Sequence, residues 1–315
     1  MLVLLGPTAS GKTALACALA DRRPVQLISM DSAQVYRGLD IGTAKPTAAE
    51  LARYPHELID LCDPAEAYSA ARFVADADAA VKRALAADRL PVLVGGTMLY
   101  ARAFLSGLTE LPEARPALRA AIEAEAAERG WAALHAELET VDPEAAAGIH
   151  PHNRQRLQRA LEVYRATGKP LSAWWREQSG QTVGERLGVT ALTVGLTVTD
   201  RQALHERINA RFKAMLEQGL IDEVAHLKRR PELHLDLPAL RAVGYRQVWE
   251  HLDGRWSYAE LEQRGAAATR QLAKRQLTWM RGWPELAEVP AVPLWAGGAA
   301  ALSVAVGTLE RYLAN

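Results

Sequence analysis

Short apolar runs alternate with longer segments of helical spacing in the first hundred residues. The runs at residues 2–5, 25–30 and 91–94 predict buried strands, because each is short and nearly continuous and leads into a segment rich in turn-forming residues. Residues 14–22 and 70–87 have the composition and spacing of helices. Strands that alternate with helices predict an α/β fold with a parallel, doubly wound sheet, whose ligands bind at the carboxyl ends of the strands.

The pattern changes near residue 112. From residue 112 to 186 the sequence contains helix-forming segments and no convincing buried strand, whereas residues 189–198 predict a strand that returns to the sheet. We therefore predict an all-helical insertion domain at residues 112–186. It interrupts a catalytic core with C-terminal helices, formed by residues 1–111 and 187–315.

Charge is distributed unevenly along this pattern. The 315 residues contain 37 Lys plus Arg and 37 Asp plus Glu, so the formal net charge is zero and a uniformly basic nucleic-acid coat is excluded. Within the predicted insertion, residues 113–144 hold eight acids and three bases, whereas residues 154–186 hold seven bases and three acids. The end of a long predicted helix at residues 258–281 is also basic. Separate charged faces are therefore expected.

Cysteine content and hydropathy exclude several classes of protein. Cys17 and Cys62 are too few for a disulfide framework or a Cys-rich zinc site, which fits a reducing compartment. The apolar start at residues 1–5 is far shorter than the ~20 residues of a membrane span. It also lacks the basic segment and longer apolar stretch of a secretory leader, so we expect an unexported protein. We expect a cytoplasmic monomer that does not associate with membranes.

The glycine-rich segment after the first strand carries the most specific chemical signal. Gly6 and the run Gly11-Lys12-Thr13 satisfy the P-loop pattern between a predicted strand and a predicted helix. Backbone N–H groups can hold a di- or triphosphate, Lys12 can reach its terminal oxygens, and the Thr13 hydroxyl can ligate Mg²⁺. The pattern predicts a P-loop NTPase-like three-layer core. The predicted diphosphate-binding residues of the loop are Gly6, Pro7, Thr8, Ala9, Ser10, Gly11, Lys12 and Thr13.

Two polar residues follow the next strands and are expected beside the P-loop. Asp31 is either a turn residue or a carboxylate that accepts a proton from a nucleophile attacking a phosphate-bearing substrate. Thr97 is either a turn residue or a hydroxyl aimed at a leaving oxygen. P-loop ATPases normally have an Asp at the end of such a strand, where this chain has Gly95 and Gly96, and this difference argues against nucleotide hydrolysis as the main activity.

Further motifs follow the P-loop in order over nearly the whole chain. They are residues 31–37 (DSAQVYR), 95–100 (GGTMLY), 155–163 (QRLQRALEV), 242–246 (AVGYR) and 274–279 (KRQLTW). Together with the P-loop, these motifs resemble those of the tRNA dimethylallyltransferases in their compact bacterial form, which lacks the zinc finger of some eukaryotic relatives.

The resemblance implies a reaction. A dimethylallyl group passes from dimethylallyl diphosphate to the exocyclic N6 amine of the adenosine 3′-adjacent to the anticodon, and diphosphate is released. Lys12, Mg²⁺ at Thr13 and, by resemblance, Arg211 would stabilise the departing diphosphate. Thr97 would hydrogen-bond the bridging oxygen, and Asp31 would accept the proton of the amine. The expected catalytic residues are therefore Asp31, Thr97 and Lys12.

The resemblance also implies which residues contact the tRNA anticodon stem-loop. The target base must leave the stacked loop to reach a site at the edge of the sheet. Matching positions are Asp31, Ser32, Ala33, Gln34, Thr97, Arg119, Gln155, Arg156, Leu157, Gln158, Arg159, Arg241, Ala242, Val243, Gly244, Tyr245 and Arg246.

Two other functions are consistent with the P-loop alone. The first is a small-molecule P-loop kinase that uses ATP, with Asp31 as the base for a substrate hydroxyl. The second is a P-loop RNA-binding protein without prenyl chemistry. A kinase would transfer the γ-phosphate of ATP without needing RNA, which separates it from the prenyltransferase hypothesis.

Overall fold

The computed structural model describes residues 1–108, 111–113, 115–177, 180–291 and 298–314. The chain forms two compact units. One, the core unit, comprises Met1–Leu105 and Val183–Asn315, and the other, the helical unit, comprises Ser106–Thr182. Compared with the predicted insertion at residues 112–186, the helical unit begins earlier and also ends earlier.

Six strands form the sheet of the core unit. They are β1 (Leu2–Leu5), β2 (Val25–Met30), β3 (His56–Glu57), β4 (Leu90–Gly95), β5 (Leu192–Thr197) and β6 (Ala287–Pro290). Their order is β3-β2-β4-β1-β5-β6, and every pairing is parallel. The predicted parallel sheet is confirmed. Strands β3 and β6 were not predicted, because they are short and carry no apolar run.

The helices of the core unit are α1 (Lys12–Ala20), α2 (Ala48–Arg53), α3 (Ala70–Ala86), α4 (Met98–Ser106), α10 (Val183–Leu187), α11 (Arg201–Glu217), α12 (Leu220–Lys228), α13 (Tyr245–Leu252), α14 (Tyr258–Arg281) and α15 (Gly298–Ala314). Those of the helical unit are α5 (Pro116–Arg129), α6 (Trp131–Val141), α7 (Pro143–Gly148), α8 (Arg154–Thr167) and α9 (Leu171–Glu177). None of the described helices is long and apolar enough to cross a membrane.

Both faces of the sheet are covered, as the three-layer prediction requires. Successive residues of a strand point to opposite faces. Leu2 and Leu4 of β1 accordingly pack into a cluster with residues of α1 and α15, whereas Val3 and Leu5 pack into a second cluster with residues of α3, α4 and α12. Burial on both faces explains why the strands are continuous apolar runs instead of alternating ones.

The carboxyl boundary of the insertion was predicted too late because α10 belongs to the core unit. Val183 packs into the larger core cluster. Arg186 donates to both carboxylate oxygens of Asp78, at 2.9 and 3.1 Å, and to the carbonyl of Phe104 at 2.7 Å. Such a paired, half-buried guanidinium fixes α10 to α3 and α4. The basic character of Arg186 made it look like part of the basic half of the insertion.

The helical unit has its own hydrophobic core. Ile122, Leu134, Leu138, Leu157 and Leu161 are fully buried there, so α5, α6 and α8 pack around one cluster. No strand residue among those described belongs to this cluster. The helical unit therefore has a separate hydrophobic core, as domains that fold independently do.

Candidate active site

The P-loop joins β1 to α1 and ends in a glycine that the backbone geometry requires. Gly11, the N-cap of α1, has φ 93°, a left-handed conformation that strongly favours glycine. Gly11 has no side chain that could cap the helix, so the N–H groups of the first turn, including those of Lys12 and Thr13, remain as donors for an anion. The loop is closed by a hydrogen bond from the Ser10 N–H to the Pro7 carbonyl at 3.2 Å.

A cavity of about 530 Å³ opens at the carboxyl ends of the strands. It brings together predicted residues that are far apart in the sequence. Those that line it are Thr8, Ala9, Lys12, Thr13, Asp31, Ser32, Ala33, Gln34, Thr97, Arg211, Arg241, Ala242 and Val243. Gly244, Tyr245 and Arg246 follow directly but do not line the cavity.

Two half-buried cations of this cavity, Lys12 and Arg211, have no carboxylate in contact among the described residues. Burial lowers the pKa of Lys12 to about 8, with attraction to Asp31 raising it and repulsion from Arg211 lowering it further. Burial also lowers the pKa of Arg211. Lys12 donates only to the Pro7 carbonyl, at 3.2 Å, and within the described chain neither cation forms an ion pair within 4 Å. Desolvation of the two cations costs free energy in the folded protein, and an anionic ligand would offset that cost when it binds.

Asp31 is a turn residue and also presents a free oxygen to the cavity. Its Oδ1 accepts hydrogen bonds from the N–H groups of Ala33 at 2.8 Å and Gln34 at 3.3 Å. Its Oδ2 has no hydrogen-bond partner among the described residues. The two interpretations of Asp31 are thus compatible, since one oxygen fixes the carboxylate and leaves the other available to a substrate.

Thr97 joins the loop after β4 to the loop after β2. Its Oγ1 accepts from the Ser32 N–H at 3.0 Å and donates to the Ser32 Oγ at 3.3 Å. Gly95 explains why no Asp stands at this strand end, because a Cβ there would lie 1.9 Å from the Met30 carbonyl oxygen. The close approach of β4 to β2 therefore requires glycine where many P-loop enzymes have a carboxylate.

Tyr245 lies in the core instead of at the surface. It is fully buried, and its hydroxyl donates to Glu223 of α12 at 2.5 Å. The same carboxylate accepts from the backbone N–H groups of Ile41 at 2.8 Å and Gly42 at 3.4 Å. Gly42 lines the cavity. Any effect of Tyr245 on RNA binding therefore acts through the backbone that it supports.

In the helical unit, two predicted RNA-binding arginines share one carboxylate. The side chain of Glu162 is 1% exposed and accepts two hydrogen bonds from Arg119, both at 3.1 Å, and one from Arg159 at 2.8 Å. It also accepts from the Arg115 N–H at 2.7 Å. Burial raises the pKa of Glu162, but these donors outweigh it and hold the pKa below its usual value.

The other predicted positions on α8 differ in exposure. Gln155 and Arg156 are exposed, whereas Leu157 is fully buried in the core of the helical unit. Gln158 donates to the Arg119 carbonyl at 3.2 Å and to Glu123 at 2.9 Å. Gln155 and Arg156 are therefore the two side chains of this segment that present themselves fully to solvent.

The sequence analysis did not predict an apolar wall of the cavity or four of its polar lining residues, Thr43, Thr269, Arg275 and Gln276. Ile208, Phe212 and Met215 line it from α11, at spacings of four and three residues that place them on the side of the helix that also carries Arg211. This apolar stripe was the available signal. Gln276 of α14 also lines the cavity. It lies within the matching segment 274–279 but was not predicted as a site residue.

Comparisons with known proteins show which family the chain resembles. The family model for IPP transferase matches residues 34–283, and that for isopentenyl transferase matches residues 1–63. The chain is 60% identical over 281 residues to the tRNA dimethylallyltransferase of Alkalilimnicola ehrlichii, covering 89% of this chain and 87% of that protein.

Two solved structures are similar over almost the whole chain. The full-length tRNA isopentenylpyrophosphate transferase of Bacillus halodurans is 36% identical with a TM-score of 0.65, covering 98% of each chain. A eukaryotic dimethylallyltransferase described as acting on tRNA is 24% identical with a TM-score of 0.81, covering 100% of this chain and 79% of that one. The latter similarity concerns the fold.

Proposed function

The chain belongs to the tRNA dimethylallyltransferase family of prenyltransferases, and we propose that it transfers a dimethylallyl group from dimethylallyl diphosphate to N6 of the adenosine 3′-adjacent to the anticodon of tRNA. The observation that carries the proposal is the composition of one cavity. It combines two half-buried cations that have no carboxylate partner among the described residues, Lys12 and Arg211, with a free carboxylate oxygen on Asp31 and an apolar wall. A kinase is not favoured, because the similar proteins are named as prenyltransferases of tRNA.

The donor is proposed to bind with its diphosphate on the P-loop. The N–H groups of the first turn of α1, Lys12 and Arg211 hold the phosphate oxygens and become better partners as charge grows on them. The allylic C–O bond breaks, its electrons leave with diphosphate, and Thr97 hydrogen-bonds the bridging oxygen. Apolar side chains such as Phe212 and Met215 surround the cationic five-carbon group and exclude water from it.

The acceptor amine is proposed to attack the allylic carbon while Asp31 removes a proton. The new C–N bond forms as the C–O bond breaks, and the proton of the amine passes to the free Oδ2 of Asp31. The hydrogen bonds to Oδ1 hold the carboxylate in place throughout. The amine of adenine is a weak nucleophile through ring delocalisation, so proton removal in the transition state contributes directly to the rate.

The residues present fit Mg²⁺ as a substrate-borne ion. No group of three or more His, Cys, Asp or Glu side chains that could hold a metal occurs among the described residues. Mg²⁺ commonly takes one or two protein ligands and completes its shell with phosphate oxygens and water. The Thr13 hydroxyl, exposed in the cavity, would hold it. When bound, the ion would neutralise charge on the departing diphosphate.

The tRNA is proposed to bind through its anticodon stem-loop. The cavity accepts a base that has left the stack, beside Arg241, Ala242 and Val243. Phosphates of the stem-loop bind exposed cations, including Arg156 and Arg246. The protein is proposed to act as a cytoplasmic monomer.

Product analysis tests this function directly. The protein is incubated with unmodified tRNA, dimethylallyl diphosphate and Mg²⁺, and the tRNA is digested for mass spectrometry of its nucleosides. We expect a prenylated adenosine 3′-adjacent to the anticodon and one diphosphate per product. Hydrolysis of ATP that tRNA stimulates, without any prenylated nucleoside, would contradict the proposal.

Asp31→Asn tests the proton acceptor. Asn retains an oxygen for the N–H groups of Ala33 and Gln34, but it removes the charge that receives the proton. We expect the single-turnover rate to fall by the ~10² to 10⁴-fold typical of a lost general base, with tRNA affinity nearly unchanged. Asp222→Asn, at an exposed position on α12, is the matched control. Near-normal turnover of Asp31→Asn would leave Asp31 as a turn residue only.

A further inference from the structure

A buried amide connects the two loops that flank the proposed reaction centre. Gln276 lies on α14 and is 8% exposed, although its helix is otherwise rich in exposed bases. Its Oε1 accepts from the N–H of Thr8 in the P-loop at 2.8 Å, and its Nε2 donates to the carbonyl of Gly96 at 2.9 Å. Gly96 directly precedes Thr97. One side chain therefore bridges the diphosphate cradle and the loop that carries the leaving-group hydroxyl.

The chemistry of this bridge favours a primary amide. Thr8 offers a donor and Gly96 offers an acceptor, and Asn and Gln carry both complementary groups on one planar end whatever the pH. Asn is one methylene shorter, so the same backbone position cannot reach both partners. Glu would keep the acceptor for Thr8 but, when ionised, would turn a second acceptor towards the Gly96 carbonyl.

The neighbouring glycine is matched to the amide. A Cβ on Gly96 would lie 2.3 Å from the Gln276 Nε2 and 3.2 Å from the Gly6 carbonyl oxygen. Gly96 therefore leaves the space into which the amide fits. Two positions separated by 180 residues in sequence thus form one contact.

The same helix also supports the third element of the cavity. Gly265 of α14 packs against the ring of Phe212, so closely that a Cβ there would lie 1.9 Å from the ring. Phe212 follows Arg211 on α11, and both line the cavity. Helix α14 therefore contacts the P-loop, the loop that leads to Thr97 and the helix that carries Arg211.

We propose that Gln276 is a positioning residue that sets the separation of the P-loop from the Thr97 loop, so that the diphosphate bound by one loop presents its bridging oxygen to the other. This inference rests on the proposed prenyl transfer. Gln276 touches no reacting atom in this scheme. Its effect arises because a misplacement of reacting groups by about 1 Å can cost ~10²-fold in rate.

The test compares the same substitution at two positions of α14. Gln276→Met keeps the size of the side chain and removes both hydrogen bonds, whereas Gln271→Met makes the same change at an exposed position of the same helix. Single-turnover prenylation rates, dissociation constants for tRNA and for dimethylallyl diphosphate, and melting temperatures are measured for both. We expect Gln276→Met to lower the rate by ~10- to 100-fold while tRNA affinity stays within about threefold of the wild type. Gln271→Met should match the wild type throughout.

Gln276→Glu supplies a second readout that loss of packing would not produce. A protonated carboxyl can donate to the Gly96 carbonyl, and an ionised one cannot. Because burial raises the pKa of such a group, the turnover of Gln276→Glu divided by that of the wild type should fall as pH rises from 6 to 9. Melting temperatures over the same range report whether the fold is retained.

The outcomes distinguish this inference from the proposed function. A wild-type protein that makes no prenylated tRNA refutes the function. An active wild type together with Gln276→Met at the wild-type rate overturns the positioning role. If Gln276→Met does not fold, Gln276→Glu decides: a rate ratio that stays at one over the whole pH range overturns the proposal, and a ratio that falls with pH supports it.

Discussion

The cations of the cavity and those of the helical unit differ in whether they pair with a carboxylate. In the core unit, Lys12 and Arg211 are half-buried and have no carboxylate in contact among the described residues. In the helical unit, Arg119 and Arg159 converge on the buried Glu162, although they remain 43% and 27% exposed. One region has half-buried cations without counter-ions, and the other has a buried anion that pairs with partly exposed cations.

This difference suits the cavity to binding a charged ligand and the helical unit to presenting a charged surface. A half-buried cation without a partner carries a desolvation cost that an anionic ligand offsets, so it favours a ligand that enters the cavity. A buried carboxylate that holds two guanidinium groups restricts their rotamers and leaves the cluster with a net positive charge. It thereby presents an ordered cationic surface, suitable for phosphates that stay in solvent.

Among the cations and anions of this comparison, the largest effect is expected from removal of the Lys12 charge. Lys12→Met should lower kcat/KM for dimethylallyl diphosphate by ~10² to 10³-fold, because charge on the departing diphosphate loses its cationic partner. Steady-state kinetics with saturating tRNA measure this. Lys82→Met, at an exposed position on α3, is the control. An equal loss at both positions would mean that burial of Lys12 has no special role.

The next effect concerns pH. Because the pKa of Lys12 is lowered to about 8, its charged form is lost as pH rises through that value in the free protein. The affinity for dimethylallyl diphosphate should therefore be constant below pH 8 and should fall by up to about tenfold per unit above it. Isothermal titration calorimetry measures the profile. Lys12→Arg stays charged over this range, so its affinity should lack the decline.

Glu162→Gln tests the buried carboxylate of the helical unit and should lower the stability of the protein. The neutral amide leaves Arg119 and Arg159 without their shared counter-ion, so we expect the free energy of unfolding to fall by about 1–3 kcal/mol. Urea denaturation at neutral pH measures it, with Glu128→Gln on the exposed face of α5 as control.

The difference in free energy of unfolding between the wild type and Glu162→Gln should depend on pH in a defined direction. The pKa of Glu162 is lower in the folded protein than in the unfolded one, so its stabilisation is present at neutral pH. It is lost as pH falls below the usual carboxyl range and through the lowered pKa. The difference between the wild type and Glu162→Gln should therefore shrink on acidification, and a constant difference would mean that the carboxylate charge is unimportant.

The smallest effect is expected at the surface. Arg246 is exposed, and its Nε lies 3.4 Å from the Oε1 of Glu250, one turn along α13. Arg246→Ala should weaken tRNA binding several-fold and reduce the salt slope of the affinity by about one. Arg255→Ala is closely matched, because Arg255 is also exposed and lies 3.7 Å from the same Glu250. Equal changes in both variants would indicate a diffuse charge effect instead of a phosphate contact at Arg246.

The sequence by itself was sufficient for the features that depend on local pattern. The P-loop, Asp31 and Thr97 were predicted because each follows a short apolar run, and parallel strands bring their carboxyl ends to one edge. The apolar runs themselves follow from burial of both faces of the sheet. The boundary at α10 was misplaced because a helix of five residues has too little periodicity to reveal which unit it packs on.

Only the tertiary structure decided the partners of the charged and amide side chains. Nothing near Gln276 in sequence indicates that its amide reaches Thr8, 268 residues away, or that Glu223 binds the N–H groups of Ile41 and Gly42. The same holds for Glu162 and Arg119. Periodicity reports which face of an element is buried, whereas a hydrogen bond forms within about 3 Å and depends on the exact packing of elements that the chain brings together from distant positions.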